Sequence, residues 1–303
     1  MRKAKKPAKA KPENGTKSGT SVVANRMEKW SDFMDLIQEW RSARNWCFRG
    51  QGNAKWPLQS SLSRHIGVSK VVPDAWAGQE RRIRRIFERK SHLFMADVPE
   101  GDELEWLALM QHHGAPTRLL DFTWSPYVAA FFALERTTED AAVWALNLPL
   151  LWDIYEKQLI GGVDVRSTDP RDADNYAEYY LQNEHAFVWQ GDPHRMPQRV
   201  IAQSGTFLVS SHLGMTVEEI LANYPDADEL LIKFVLPTQV RPEAMATLYS
   251  MNITQATLFP GLDGLARSMA YEFEYSWSID LTTNQELEAM RDPRLGKPPL
   301  GGK

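Results

Sequence analysis

A chain of 303 residues with 43% hydrophobic and 11% aromatic content can bury the core of one large domain or two small ones. No apolar run approaches the about 20 residues that span a bilayer, and the single cysteine, Cys47, excludes an internal disulfide framework and any cysteine-based zinc site. The net charge of −4 hides an asymmetry, because residues 1–20 carry seven Lys/Arg and one acid, which leaves about −10 on the rest. The basic start lacks the apolar stretch of a secretory signal, so a cytoplasmic protein is expected. Residues 1–24 are too polar to fold and are expected to form a disordered basic tail, solvated or touching a polyanion.

Met27 to Ala43 reads as an amphipathic helix with Trp30, Phe33, Ile37 and Trp40 on one stripe. Trp46-Cys47-Phe48 is a short buried strand ending in a turn at Arg49-Gly50-Gln51-Gly52, and Pro57 to Leu62 continues extended. Gln79 to Met95 is a helix with a basic outer face (Arg81, Arg82, Arg84, Arg85, Arg89) and an apolar face of Ile83, Ile86, Phe87 and Phe94. Leu104 to His113 is helical by its spacing, closed by Gly114 and Pro116. Thr117 to Phe122 is a strand, and Ser125-Pro126 caps a helix over Tyr127 to Leu134.

The second half predicts a strand at Ala141–Asn147, a helix at Leu150–Leu159, a loop at Gly161–Arg171 and a tyrosine-rich helix at Ala173–Leu181. Gly191 to Gln198 is irregular, and Val200 to Val209 is a strand pair around Ser204-Gly205. Thr216 and Glu219 form a capping box for the helix Val217–Asn223. A strand at Leu230–Leu236, a helix at Pro242–Ser250, a turn at Phe259-Pro260-Gly261 and a helix at Leu262–Met269 follow, and the last 20 residues are ragged. Few strict strand–helix alternations argue for an α+β fold.

Polar residues at the joints of apolar segments are the candidates for chemistry, since a buried polar group left unpaired costs roughly 1–3 kcal/mol. Arg49 ends an apolar strand beside two glycines, where a planar guanidinium suits phosphate or carboxylate; the alternative is an ion pair with Glu80 or Asp121. Arg118 and Asp121 lie three apart on a strand, so they point to opposite faces and are not simply each other's partner. His112 and His113 are adjacent on a helix end and share no face, so no metal site is expected. Gln203 is a lone amide in an apolar strand, free to cap a strand or read a ligand. Glu184-His185 is an isolated acid and base. There is no phosphate loop, no serine elbow and no zinc-hydrolase helix.

Phe48-Arg49-Gly50, QHHGAPTRLLDFTWSPYVAAFFAL (residues 111–134), RVIAQSGTF (199–207) and LFPGLDGLA (258–266) occur in the order seen in the FRG domain family. The chain resembles that family over roughly residues 40–268, departing at His113, where an aromatic is usual. The family in turn is similar, remotely, to the ADP-ribosyltransferase superfamily. That resemblance implies a single FRG domain over residues 25–285, with an ADP-ribosyltransferase-like split mixed sheet flanked by helices and a flexible tail over 286–303. It implies NAD as substrate, with Arg49 on the NAD phosphates or ribose and Thr123 shaping the nicotinamide pocket. Gly50, Gln51, Gln111, His112, Thr117, Arg118 and Asp121 would bind or order the ligand. Gln203 or Glu184 would stand where the superfamily has a late Glu, although a Gln cannot supply negative charge to an oxocarbenium-like transition state. The partners implied are a nucleotide and an acceptor, protein or nucleic acid, without a membrane. The other readings are a nucleotide or nucleic-acid binding module without turnover, and a stress or phage-defence effector that works through protein partners.

Overall fold

The computed structural model describes residues 24–40, 45–95, 99 and 101–274. Of the tail expected over 1–24, residues 1–23 lie outside the described residues and Ala24 opens a strand; the tail expected over 286–303 and the end of the first helix at 41–43 also lie outside them. The elements run β1 Ala24–Arg26, α1 Trp30–Glu39, β2 Trp46–Gln51, α2 Ser61–Val68, α3 Trp76–Ser91, α4 Glu103–His112, β3 Leu119–Thr123, α5 Pro126–Leu134 and β4 Ala141–Asn147. They continue with α6 Leu148–Lys157, α7 Ala173–Asn175 (prolonged by a π-helical turn at Tyr176–Tyr180), β5 Val188–Gly191, α8 Gln198–Ala202, β6 Gly205–Ser210 and α9 Val217–Leu221. The last are α10 Ala227–Leu230, β7 Leu231–Leu236, α11 Arg241–Ser250, α12 Gln255–Leu258 and α13 Leu262–Glu274. No helix among the described residues is long and apolar enough to cross a membrane.

The fold is α+β: one mixed seven-stranded sheet in the order β1-β7-β4-β2-β3-β6-β5, flanked by helices. Only β1 and β7 run parallel; the other neighbours are antiparallel. The ladder is uneven. β2 and β4 are in register over six residue pairs and β3 and β6 over five, whereas β2 and β3 share one pair, Phe48 with Thr123. Beyond that pair the two strands part, and the sheet is two halves joined at a seam.

One apolar layer packs α1, α5 and α11 against one face, with Phe33, Phe131, Phe234 and Leu248 at its centre. The other collects Leu107, Leu120, Trp144, Tyr180 and Phe207 under α4 and α6. Alternation along β2 explains why both layers are needed: Cys47 joins one, Phe48 the other.

Several expectations are corrected here. The chain does not turn at Arg49-Gly50, because β2 runs through to Gln51. Gly50 is there for close approach: a Cβ at this position would lie 1.9 Å from the carbonyl oxygen of Ala129, so α5 can rest on β2 only over a glycine. Leu62 is helical instead of extended, since Ser60 caps α2 by accepting from the Ser63 amide at 3.1 Å. Val200–Val209 is not a strand pair. Pro197 starts α8, Gln203 is its C-cap, and Ser204 (φ 47°) turns the chain into β6. Ala24–Arg26 and Val188–Gly191 are strands where none was expected; both lie at sheet edges, where short length weakens a periodic signal. Ile86 and Phe94 are exposed (43% and 87%) instead of completing an apolar face.

Candidate functional site

The seam between the two half-sheets opens into a cleft of about 200 Å³, lined by Arg49 and Gly50 of β2, Asp121 and Thr123 of β3, and Arg199 and Gln203 from α8, with Phe48, Phe122 and Phe132 as walls. Arg49 sits where the ladder fails. Its Nη1 donates to the Asp121 carbonyl oxygen at 2.6 Å, taking over an acceptor that a continued β2–β3 ladder would have used. The same atom lies 4.0 Å from Asp121 Oδ2. Its Nε is buried and has no acceptor among the described residues. Burial lowers the Arg49 pKa, the Asp121 charge opposes this, and Arg64 adds to the lowering. A guanidinium with donors to spare has the geometry to take an anion bidentately.

Asp121 is held in place by a relay. The Thr117 hydroxyl donates to Gln111 Oε1, and Gln111 Nε2 donates to Asp121 Oδ1 at 2.7 Å. Gly114 (φ 82°) ends α4 and allows the return that brings Gln111 and Thr117 together. The Asp121 side chain stays 60% exposed at the cleft, so it is aimed but not consumed. Thr123 donates to the Gln203 carbonyl oxygen at 2.7 Å and accepts from the Ser125 amide, and Ser125 in turn caps α5. Gln203 Nε2 donates to the Leu258 carbonyl oxygen at 3.0 Å, tying α8 to α12.

Arg199 is the cleft residue that the sequence reading missed. Its side chain makes no hydrogen bond or ion pair among the described residues, and its guanidinium lies over the Phe259 ring at 4.3 Å. Burial lowers its pKa, partly offset by Asp121 and Glu135 and reinforced by Arg267. A signal was available: Arg199 and Gln203 are four apart and share a face whether the segment is helix or strand. Reading the segment as an apolar strand from Val200 onward hid it.

The other predicted site residues fall outside this cleft. Arg118 is fully buried and closed upon itself: Nε donates to Glu80 Oε1 at 2.8 Å, Nη2 to Glu80 Oε2, and Nη1 to the carbonyl oxygens of Ser210 and Ser211. Tyr176 and Tyr180 cover its guanidinium, and the Tyr176 hydroxyl donates to Glu80 Oε1. Burial alone would lower its pKa, but Glu80 and Tyr176 outweigh this and raise it. Gln51 is buried between Pro57, whose carbonyl oxygen it reaches, and Trp144, whose indole N–H it accepts; it serves the core. Glu184 is exposed and precedes β5, beside the Ser210 end of β6. The cleft lies at the Gly205 end, some five residues or roughly 17 Å along the strand. His112 is exposed at the end of α4, and burial, His113 and Arg199 lower its pKa in that order. Among the described residues no three His, Cys, Asp or Glu side chains are grouped to hold a metal ion.

Residues 44–142 match the family model of the FRG domain. The chain carries an FRG domain. No curated protein matches the chain, and no solved structure does. The matched FRG residues supply Arg49, Gly50, the Gln111–Thr117–Asp121 relay and Thr123. Arg199, Gln203 and Phe259 lie beyond them yet complete the same cleft, because β6 pairs with β3 of the FRG segment and α8 leads directly into β6.

Proposed function

We propose that the seam cleft binds the phosphate–ribose part of a nucleotide of the NAD class and that the protein is an ADP-ribosyltransferase-like enzyme. The observation that carries the reading is the pair of arginines, Arg49 and Arg199, facing one small cleft with guanidinium N–H groups to spare. Both are weakened by burial and flanked by aromatic walls and one oriented carboxylate. Planar guanidinium donors match phosphate oxygens bidentately. Whole small-molecule sites run to about 300–1,000 Å³, so a cleft of about 200 Å³ takes one end of a dinucleotide and leaves the rest outside it.

In the reaction the bond between ribose C1′ and the nicotinamide nitrogen breaks, and nicotinamide leaves with the bonding pair. A nucleophilic oxygen or nitrogen of the acceptor then bonds to C1′ and releases its proton, with no net oxidation or reduction. The developing positive charge on the ribose calls for a nearby anion, and Asp121 is the carboxylate lining the cleft. A reading as a nucleotide-binding module without turnover is favoured by a different observation. Gln203, expected at the ribose, and Thr123, expected to shape the nicotinamide pocket, are committed to the carbonyl oxygens of Leu258 and of Gln203.

The deciding experiment is a mass-resolved NAD assay with wild type, Arg49→Ala and Asp121→Asn. Nicotinamide release that disappears in both variants supports the enzyme. NAD binding lost in Arg49→Ala and kept in Asp121→Asn, with no turnover in any form, supports the binding module. No binding and no release from wild type overturns both readings.

A further inference from the structure

Away from the seam, α3 carries a concentration of cations without ion-pair partners among the described residues. Arg81, Arg82, Arg85, Arg89 and Lys90 are all exposed, and none of their side chains makes an ion pair or hydrogen bond among the described residues. Elsewhere Arg26, Lys157, Arg166 and Arg171 each lean on a carboxylate. At 100° per residue the five fall on one half of the helix circumference, forming a ridge. The opposite half is pinned: Glu80 holds Arg118 in the core, and Arg84 Nη2 reaches Glu103 at 2.8 Å. The ridge is therefore rigidly presented, and it stands on a chain whose residues beyond the first 20 carry a net negative charge.

Along one flank of the ridge runs an apolar groove of about 530 Å³ whose lining includes Phe87, Phe94, His113, Ile86 and Met110, with Lys90 at its edge. Phe94 is 87% exposed, and the Phe87 and His113 rings lie 6.4 Å apart. A cationic ridge bordering open aromatic rings is the arrangement that binds a single strand of nucleic acid, with phosphates along the cations and bases against the rings. A purely acidic protein segment would satisfy the ridge and leave the rings beside it uncovered.

We propose that α3 and its aromatic groove form a binding surface for single-stranded nucleic acid, separate from the seam cleft and independent of any reaction there. The test is fluorescence anisotropy of a labelled mixed-sequence single-stranded oligonucleotide with the full chain, titrated across salt concentrations. Three variants are compared: Arg81→Gln/Arg85→Gln/Arg89→Gln on the ridge, Phe94→Ala in the groove, and Lys5→Gln/Lys6→Gln/Lys9→Gln in the basic tail. All of these side chains on α3 and its following turn are exposed, so a circular-dichroism melt matching wild type is expected to accompany each.

The expected result is a ridge variant at least tenfold weaker, its log K against log salt slope shallower by about 2, since each phosphate contact to a single strand contributes about 0.7. Phe94→Ala weakens binding by about tenfold at unchanged slope, as loss of one stacked base would. In the tail variant both α3 effects persist. The proposal is overturned if wild type does not bind at low salt, or if only the tail variant loses binding. It is also overturned if polyglutamate displaces the oligonucleotide at equal charge while Phe94→Ala changes nothing, which would make the ridge a dock for acidic protein.

Discussion

Arg118 and Arg49 approach the same strand, β3, from its two ends, and their surroundings are opposite. Arg118 has a carboxylate, two carbonyl oxygens and two tyrosine rings around it, and no water reaches it. Arg49 has one carbonyl oxygen, a carboxylate held at 4.0 Å by a glutamine relay, and a buried Nε without an acceptor. The sequence offers the two arginines on equal terms, each ending or opening an apolar strand. The difference comes from the ladder. On its β6 side, where Arg118 reaches Ser210 and Ser211, β3 is in full register, whereas on its β2 side, beside Arg49, it meets β2 in one pair and parts. A complete ladder encloses its arginine; a broken one leaves a cleft beside it.

That contrast can be broken by mutation, and the effects should fall in a definite order. Arg118→Met leaves Glu80 buried without its partner, so a loss of about 3–5 kcal/mol is expected in denaturant unfolding. Unchanged unfolding would show that Arg118 does not hold the core. Gly50→Ala should be nearly as severe. Its Cβ meets the α5 backbone at 1.9 Å, and overpacking of this kind costs about 1–3 kcal/mol or more. A variant melting like wild type would mean that α5 does not rest on β2.

The third test concerns pH. Burial pushes Glu103 up to about 7 from its ordinary 4.5, against the pull of Arg84. Between those values the folded protein holds a proton that the unfolded chain has released. The stability from this group is complete below pH 4.5 and is lost as pH rises through about 7, a change of at most about 3 kcal/mol. Denaturant midpoints of Glu103→Gln should therefore fall less than those of wild type between pH 5 and pH 8. Parallel curves would refute the assignment. The smallest effect on folding belongs to Arg49→Ala, which removes one hydrogen bond at the seam and should cost about 1 kcal/mol. If it unfolds the protein as Arg118→Met does, the two arginines are structural equivalents and the contrast is void.

Much of this was legible in the sequence where a local rule decides the outcome. Ser125-Pro126 starts α5, Thr216 and Glu219 box the start of α9, and Gly114 turns the end of α4 as their residue types require. The α+β class followed from the order of elements. The errors arose where a distant backbone decides. Gly50 looks like a turn because the helix that lies on it is 76 residues or more further along the chain. Val200 and Ile201 look like a strand, but β3 takes up only Gly205–Val209 of β6, and Pro197 sets the preceding turn as helix. The site was half legible. Arg49, Asp121, Thr123 and Gln203 do converge, since strand ends and caps gather at the seam. Arg118 lies outside the cleft because its carboxylate partner, Glu80, comes from a separate helix, and Arg199 was missed through the strand reading of its segment.

The most direct test of the cleft is a calorimetric titration of NAD into wild type, Arg49→Ala and Arg199→Ala, each first shown to melt as wild type does within a few degrees. If the unpaired guanidinium groups exist to hold nucleotide phosphates, each substitution weakens binding by at least tenfold, since a charge-assisted hydrogen bond contributes about 1.5–3 kcal/mol. Equal affinity in all three proteins, or no heat of binding to wild type, would contradict that account.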